Sequence, residues 1–257
     1  MAEEERQTNY TIGEGMELPS RGLIYDKKVS SHVELRSMTA RDEMKRLSPS
    51  TTQFKTLADI IEGCMIEKPA IHVYDMALGD YEFLLHRLRI VTYGDEYKIY
   101  LRCPYCGEEI ETVAHLENLA IKEFDFAKFE ELKTITLPKS GNVVTLKFQT
   151  PRMLDEIESK TKEMKRKYKD ASIAFDLLIL LEAVIDTVDG AKLDSTKLET
   201  FINNLPAMDM TKIVNSVDAL NALIGIDNEL IVDCNKCGGE VHTSFRYGAE
   251  FFRPSNI

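Results

Sequence analysis

Two short frames limit what this chain can fold into: Cys103-Pro-Tyr-Cys106-Gly107 and Cys234-Asn-Lys-Cys237-Gly238. Each is entered from an apolar, strand-like run (97–101 and 229–232) and left through another (110–113 and 241–245). A Cys-x-x-Cys turn sets two thiolates on one edge of a tight bend. The glycine after it takes the positive φ that lets backbone N–H groups face the sulfurs. Two such turns complete a tetrahedral shell, so the pattern predicts a structural zinc held by Cys103, Cys106, Cys234 and Cys237. With four sulfurs and no position open to water, the metal is not expected to catalyse anything. A metal that needs both halves closes a loop of about 127 residues (107–233), so the chain must return to where it began.

Other readings of the cysteines need other settings. A redox Cys-x-x-Cys opens a helix, and a pair of stable disulfides suits a secreted protein. Here Met1 is followed by Glu3, Glu4 and Glu5 rather than a signal peptide, and no apolar run reaches membrane-spanning length, so folding in a cytoplasm without a membrane partner is expected. His115 and His242 lie near the knuckles, either as outer donors to the sulfurs or as ordinary strand residues. The fifth cysteine, Cys64, sits in the apolar stretch 57–66 and reads as a buried, inert thiol.

Charge narrows the partners. With 43 acidic against 32 basic residues the chain carries −11, which repels phosphate backbones and anionic membranes at long range. Nucleic-acid binding, a common use of zinc ribbons, is therefore not expected. The exception is local: six of the ten residues 160–169 are Lys or Arg. Glu163 interrupts them and no aromatic stacking set accompanies them, so they read as a solvated helix face.

The rest of the chain predicts an α+β protein: a flexible acidic arm (1–15), an N-terminal α+β adaptor region (16–96), and a zinc-ribbon-like region (97–257) that carries a β-hairpin and a helical insertion. Pro19 and Gly22 set a turn between short apolar stretches, and 29–38 reads as a strand. Thr39 caps a helix over 40–47, with further helices over 53–65 and 79–93. In the last of these, apolar residues at 81, 84, 85, 88 and 91 share one face, and Gly94 ends the helix. Arg87 and Arg89 are read as a solvated charged face in preference to pairing with acidic partners, and His86 is given no role.

Residues 133–148 alternate about a Pro138-Lys-Ser-Gly141-Asn turn as a hairpin. Thr150-Pro151 opens a helix to about 169. Further helices are expected over 171–188, 194–204 and 208–224, with Asp194 or Ser195 and then Asp209 as caps. Asp186, Asp189 and Asp194 lack the ligand frame of a calcium loop and are taken as caps and loop polarity. There is no P-loop, Gly-x-Ser-x-Gly or His-Glu-x-x-His, so no enzyme is expected.

Leu18-Pro-Ser-Arg-Gly22 with Tyr25, the helix Leu84-Leu-His-Arg-Leu-Arg-Ile-Val-Thr-Tyr-Gly94, and Cys103-Pro-Tyr-Cys106, read in that order and spacing, resemble the baseplate hub assembly proteins of T-even-like contractile-tailed bacteriophages, the phage base plate protein family. The resemblance covers roughly residues 16–150. It implies a non-enzymatic component of the tail baseplate or hub, present in multiple copies of a symmetric assembly, built in the host cytoplasm and working by contacts with other baseplate, hub and tail proteins. Two alternatives stay open: an assembly chaperone absent from the mature particle, and a zinc-ribbon adaptor for nucleic acid, supported by the basic run at 160–169.

Overall fold

In a computed structural model of the chain, the apolar face expected at 79–93 becomes the helix on which the N-terminal half collapses. The structure describes residues 13–25, 28–168, 174–245 and 249–252; the expected arm up to residue 12 lies outside them. Helix α3 (Leu78–Tyr93) buries Tyr81, Leu84, Leu85 and Leu88, each at most 1% exposed. Around it gather β1 (Glu14–Glu17) and β2 (His32–Leu35), paired antiparallel with Met16 opposite Val33, then α1 (Ala40–Arg46) and α2 (Gln53–Cys64). Leu35, Leu57, Ile60 and Ile61 complete this first core, and each buried side chain of this size contributes about 1.5–3 kcal/mol. Cys64 ends α2 fully buried, as expected, its thiol pushed up to about 11 chiefly by that burial.

The second core is built from the chain between the knuckles. A three-stranded antiparallel sheet, in order β5 (Thr134–Thr136), β6 (Val143–Leu146), β7 (Ile185–Val188), packs with α4 (Phe126–Lys133), α6 (Phe175–Val184), α7 (Ser195–Asn203) and α8 (Ala207–Asn221). The hairpin predicted at 133–148 is β5–β6, closed by Leu137 N–H donating to Asn142 O (2.9 Å). The helix expected over 171–188 ends at Val184, and residues 171–173 lie outside the described ones. Ile185, Thr187 and Val188 are β-branched and find the open edge of β6, so the chain continues as a strand.

Close backbone contact and a few polar ties join the two cores. A Cβ on Gly79, in the first turn of α3, would lie 2.6 Å from Ile224 O, and Gly225 beside it has φ +113°. No larger residue fits at either place without displacing backbone. Helix α5 (Pro151–Tyr168) adds a second tie: Arg152 forks onto Asp75 (2.6 and 3.0 Å), and Asp155 accepts from Lys55 N–H and the Tyr74 hydroxyl, both at 2.9 Å. Asp155 thereby caps α2 from across the fold, where Thr52 makes no side-chain cap bond.

The segment Leu18–Gly22 and Tyr25 fold over one carboxylate at the start of α3. Asp80, fully buried, accepts from Ser20 N–H (3.0 Å), the Ser20 hydroxyl (2.5 Å) and the Tyr25 hydroxyl (2.6 Å). Tyr25 in turn accepts from Ala77 N–H (3.1 Å). Gly22 has φ +72°, and a Cβ there would lie 2.4 Å from Val29 O. The serine, glycine and tyrosine of this motif therefore each have a physical reason to be there.

Three charged residues depart from expectation. Arg89, expected in solvent, is fully buried and donates to Gly94 O (2.7 Å) and Glu96 O (3.1 Å), capping the end of its own helix. Its guanidinium also lies over Tyr93 and Tyr97, 5.3 and 5.9 Å from the ring centroids. Arg87, on the same expected face, is mostly covered and pairs with Glu14. Asp209 is not the cap of α8, whose N-cap is Pro206. It is buried and accepts from Lys139 and Ser140 N–H (2.8 Å each), holding the hairpin turn. Burial works to raise its pKa, but these two donors outweigh that and hold the carboxyl below its ordinary value.

Candidate metal centre

The chain does return to its starting point. Strands β3 (Glu96–Arg102) and β4 (Glu109–His115) form one antiparallel hairpin, and β8 (Glu229–Asp233) and β9 (Glu240–Ser244) form another. Each hairpin ends in a knuckle, and the two knuckles are built alike. Cys103 N–H donates to Glu108 O (2.8 Å) and Gly107 N–H to Cys103 O (2.9 Å). In the second, Cys234 N–H donates to Gly239 O (3.0 Å) and Gly238 N–H to Cys234 O (2.8 Å). Gly107 and Gly238 take φ +74° and +67°, the left-handed geometry expected of them.

The four sulfurs come together, all within 4.8 Å of one another, and no other group of three or more His, Cys, Asp or Glu ligand atoms meets that test among the described residues. The separations Cys103 Sγ to Cys237 Sγ and Cys106 Sγ to Cys234 Sγ are 3.6 and 3.7 Å. A tetrahedral zinc with bonds of about 2.3 Å needs sulfur–sulfur edges of about 3.8 Å. A disulfide needs about 2.05 Å, so no pair here is bonded. The cluster can hold a metal ion and fits a zinc-binding region. Backbone N–H groups of Cys237 and then Lys236 pull the Cys234 thiol down, whereas the thiols of Cys106 and Cys237 are pushed up although backbone N–H groups of Glu108 and Gly239 act to lower them, so the crowded sulfurs do not all ionise alike without a cation among them.

Around the sulfurs lies a small core that repeats from one knuckle to the other. Cys103 and Cys234 are buried with Ile110 and Val241, seven residues beyond each, and against Leu101 and Val232, two residues before. Across the junction Lys236 Nζ meets Glu108 Oε2 at 2.6 Å. The Tyr105 ring packs over Gly239, where a Cβ would lie 2.6 Å from its Cδ2 and would push this exposed ring aside. His115 and His242 take no part in the cluster. Their Nδ1 atoms pair instead with Asp95 (2.7 Å) and Glu229 (2.9 Å), and both side chains face solvent.

An aromatic latch that sequence reasoning missed seats the hairpins on α3. Tyr97 of β3 meets Phe245, just past β9, with ring centroids 5.3 Å apart, and Phe251 at 5.5 Å. Phe251 stacks on His86 (6.1 Å), whose Nε2 lies 2.9 Å from Leu116 O. Phe251 and Phe252 are at most 1% exposed, so these two rings are buried in the first core. Phe245, Phe251 and Phe252 within eight residues were the available signal. His86 thus has a packing role where none was assigned.

Among the described residues no helix is long and apolar enough to cross a membrane. No curated protein and no solved structure matches the chain. A family model does: the match runs over residues 17–253, past the limit of about 150 set by the sequence resemblance, and takes in both knuckles and the latch as far as Phe252. With most of its length inside that match, the chain belongs to the family described as T4 bacteriophage base plate protein.

Proposed function

We propose that this chain is a non-enzymatic structural component of a contractile-tail baseplate or hub, stabilised by one zinc on Cys103, Cys106, Cys234 and Cys237. The family match over residues 17–253 carries the reading. The chain's work is to present docking surfaces to other baseplate, hub and tail proteins in the virion. The zinc holds the two hairpins together so that their outer faces keep a fixed relation. In this reading the arm, the adaptor region up to residue 96 and the ribbon-like region beyond it serve as separate docking pieces. A closed four-sulfur site supplies rigidity rather than chemistry.

Mass spectrometry of purified tailed particles, with copy number measured against a known tail protein, tests the role. Stoichiometric presence is expected. Presence in assembly intermediates and absence from finished particles would replace the structural reading with that of an assembly chaperone.

A further inference from the structure

The two knuckles repeat the same offsets, but the charges on the strands beside them differ, most directly next to the first cysteine. Arg102 stands opposite Glu109 across β3–β4, a cation facing an anion. The equivalent pair across β8–β9, one residue before the first cysteine and six after it, is Asp233 opposite Glu240. Like charges directly opposite on an antiparallel pair destabilise it, and neither carboxylate has an ion-pair partner among the described residues. Alternation along the strand puts Glu229 and Ile231 on the same outer face, with Ile231 60% exposed. On the partner strand His242, paired with Glu229, stands opposite Ile231, so the hairpin offers solvent an acidic end, Asp233 and Glu240, beside one exposed apolar residue.

The far end of α5 has the opposite character. Residues 160–168 hold five cations and one anion, a net +4 in a chain of net charge −11. The first half of α5 is anchored through Arg152 and Asp155, whereas Lys165 and Arg166 in the second half are exposed and make no ion pair among the described residues.

We propose that the acidic β8–β9 face of one copy receives the basic end of α5 from a second copy. Lys165 and Arg166 would meet Asp233 and Glu240, and their methylene stems would cover Ile231. Because the two patches differ, the contact is head-to-tail: each copy keeps one patch free for the next, so the arrangement closes into a ring or continues as an open chain. Exposed ion pairs are individually weak, so the association is expected to be salt-sensitive.

Sedimentation velocity on the full-length, metal-loaded chain tests this, comparing about 0.1 M salt, where the screening length is about 10 Å, with about 1 M, where it is about 3 Å. The chain should associate at low salt and become monomeric at high salt. Lys165→Glu with Arg166→Glu should abolish association, as should Asp233→Arg with Glu240→Lys. The first knuckle already carries Arg102 at the position matching Asp233, so a basic residue is compatible with that turn. The chain with all four reversals should associate again, because its patches are complementary once more. Metal content and circular dichroism identify a variant that fails by misfolding.

A monomeric wild-type chain at low salt, association indifferent to the reversals, or a fourfold variant that is folded but monomeric would each overturn the proposal. So would a monomeric chain whose α5 reversals abolish binding to DNA. Self-association is measured on purified protein and the baseplate role on particles, so either can fail without the other.

Discussion

Two places in this molecule tie together segments that lie far apart in the chain, and they do so by different chemistry. At the metal centre, four residues of one type converge from 103–106 and 234–237. At Asp80, one carboxylate gathers a backbone amide, a serine hydroxyl and a tyrosine hydroxyl from residues 20 and 25. The first junction is closed by an ion, and its strength depends on what is bound. The second belongs to the fold itself, and its strength depends on every donor finding its acceptor in a buried place. A contact made through identical ligands leaves a repeated mark in the sequence. A contact made through three different donors leaves none.

Breaking the metal junction should have the largest effect. Cys234→Ser removes one thiolate, and structural zinc sites supply on the order of 10 kcal/mol of apparent folding free energy. The metal content should fall from one zinc per chain to none, and proteolysis should open the tips at 103–108 and 234–239. The latch of Tyr97, Phe245 and Phe251 is made by side chains outside the sulfur cluster, and neither core includes any of the four cysteines. Most of the helical signal should therefore persist. Full unfolding on losing the ligand would show that the metal holds the cores as well as the hairpins.

Breaking the second junction should cost less but act on the core. Asp80→Ala leaves Ser20 N–H and two hydroxyls without acceptors in a buried place, a loss of about 3 kcal/mol or more. A denaturant midpoint should fall accordingly while zinc content stays at wild-type level. The comparison fails if zinc is lost together with the midpoint, because the two junctions would then act as one.

How far each junction was legible in the sequence follows from the same contrast. The cysteine frames, their glycines and the strands around them could be read, as could Gly94, the Thr39 cap and the hairpin at 133–148, because each depends on local spacing. Leu18–Gly22 was noticed as a motif, but its partner Asp80 was not, since the bond spans sixty residues and nothing nearby points to it. Arg89 was misjudged for a related reason: helical periodicity gives the side of the helix, not the carbonyls of Gly94 and Glu96 waiting beyond its end. Asp209 looked like a cap because it sits near a helix start, and only the fold brings the turn at 139–140 to it. The switch from helix to strand at Ile185 depends on the open edge of β6, which no local pattern contains.

Glu82 sharpens the contrast with the smallest effect, because it lies two residues from Asp80 on the same helix but lacks Asp80's three donors. Burial pushes its carboxyl up to about 7, against a weaker pull from Lys122. In the unfolded chain a glutamate titrates near 4.3. Below that value both states are protonated and burial costs nothing. As pH rises towards and past 7 the folded state must carry a half-buried charge, so the group destabilises the fold there by about 1–3 kcal/mol. Glu82→Gln keeps the shape and removes the charge. The variant should therefore melt higher than wild type at pH 8, and the advantage should shrink as pH falls from about 7 towards 4.5. Metal loss in acid would affect both proteins alike, so the difference between them, followed by thermal melts across that range, isolates the carboxylate. A difference that stays constant with pH would mean that partners in the fold hold the Glu82 charge against burial better than the three donors hold that of Asp80, whose carboxyl burial still pushes up.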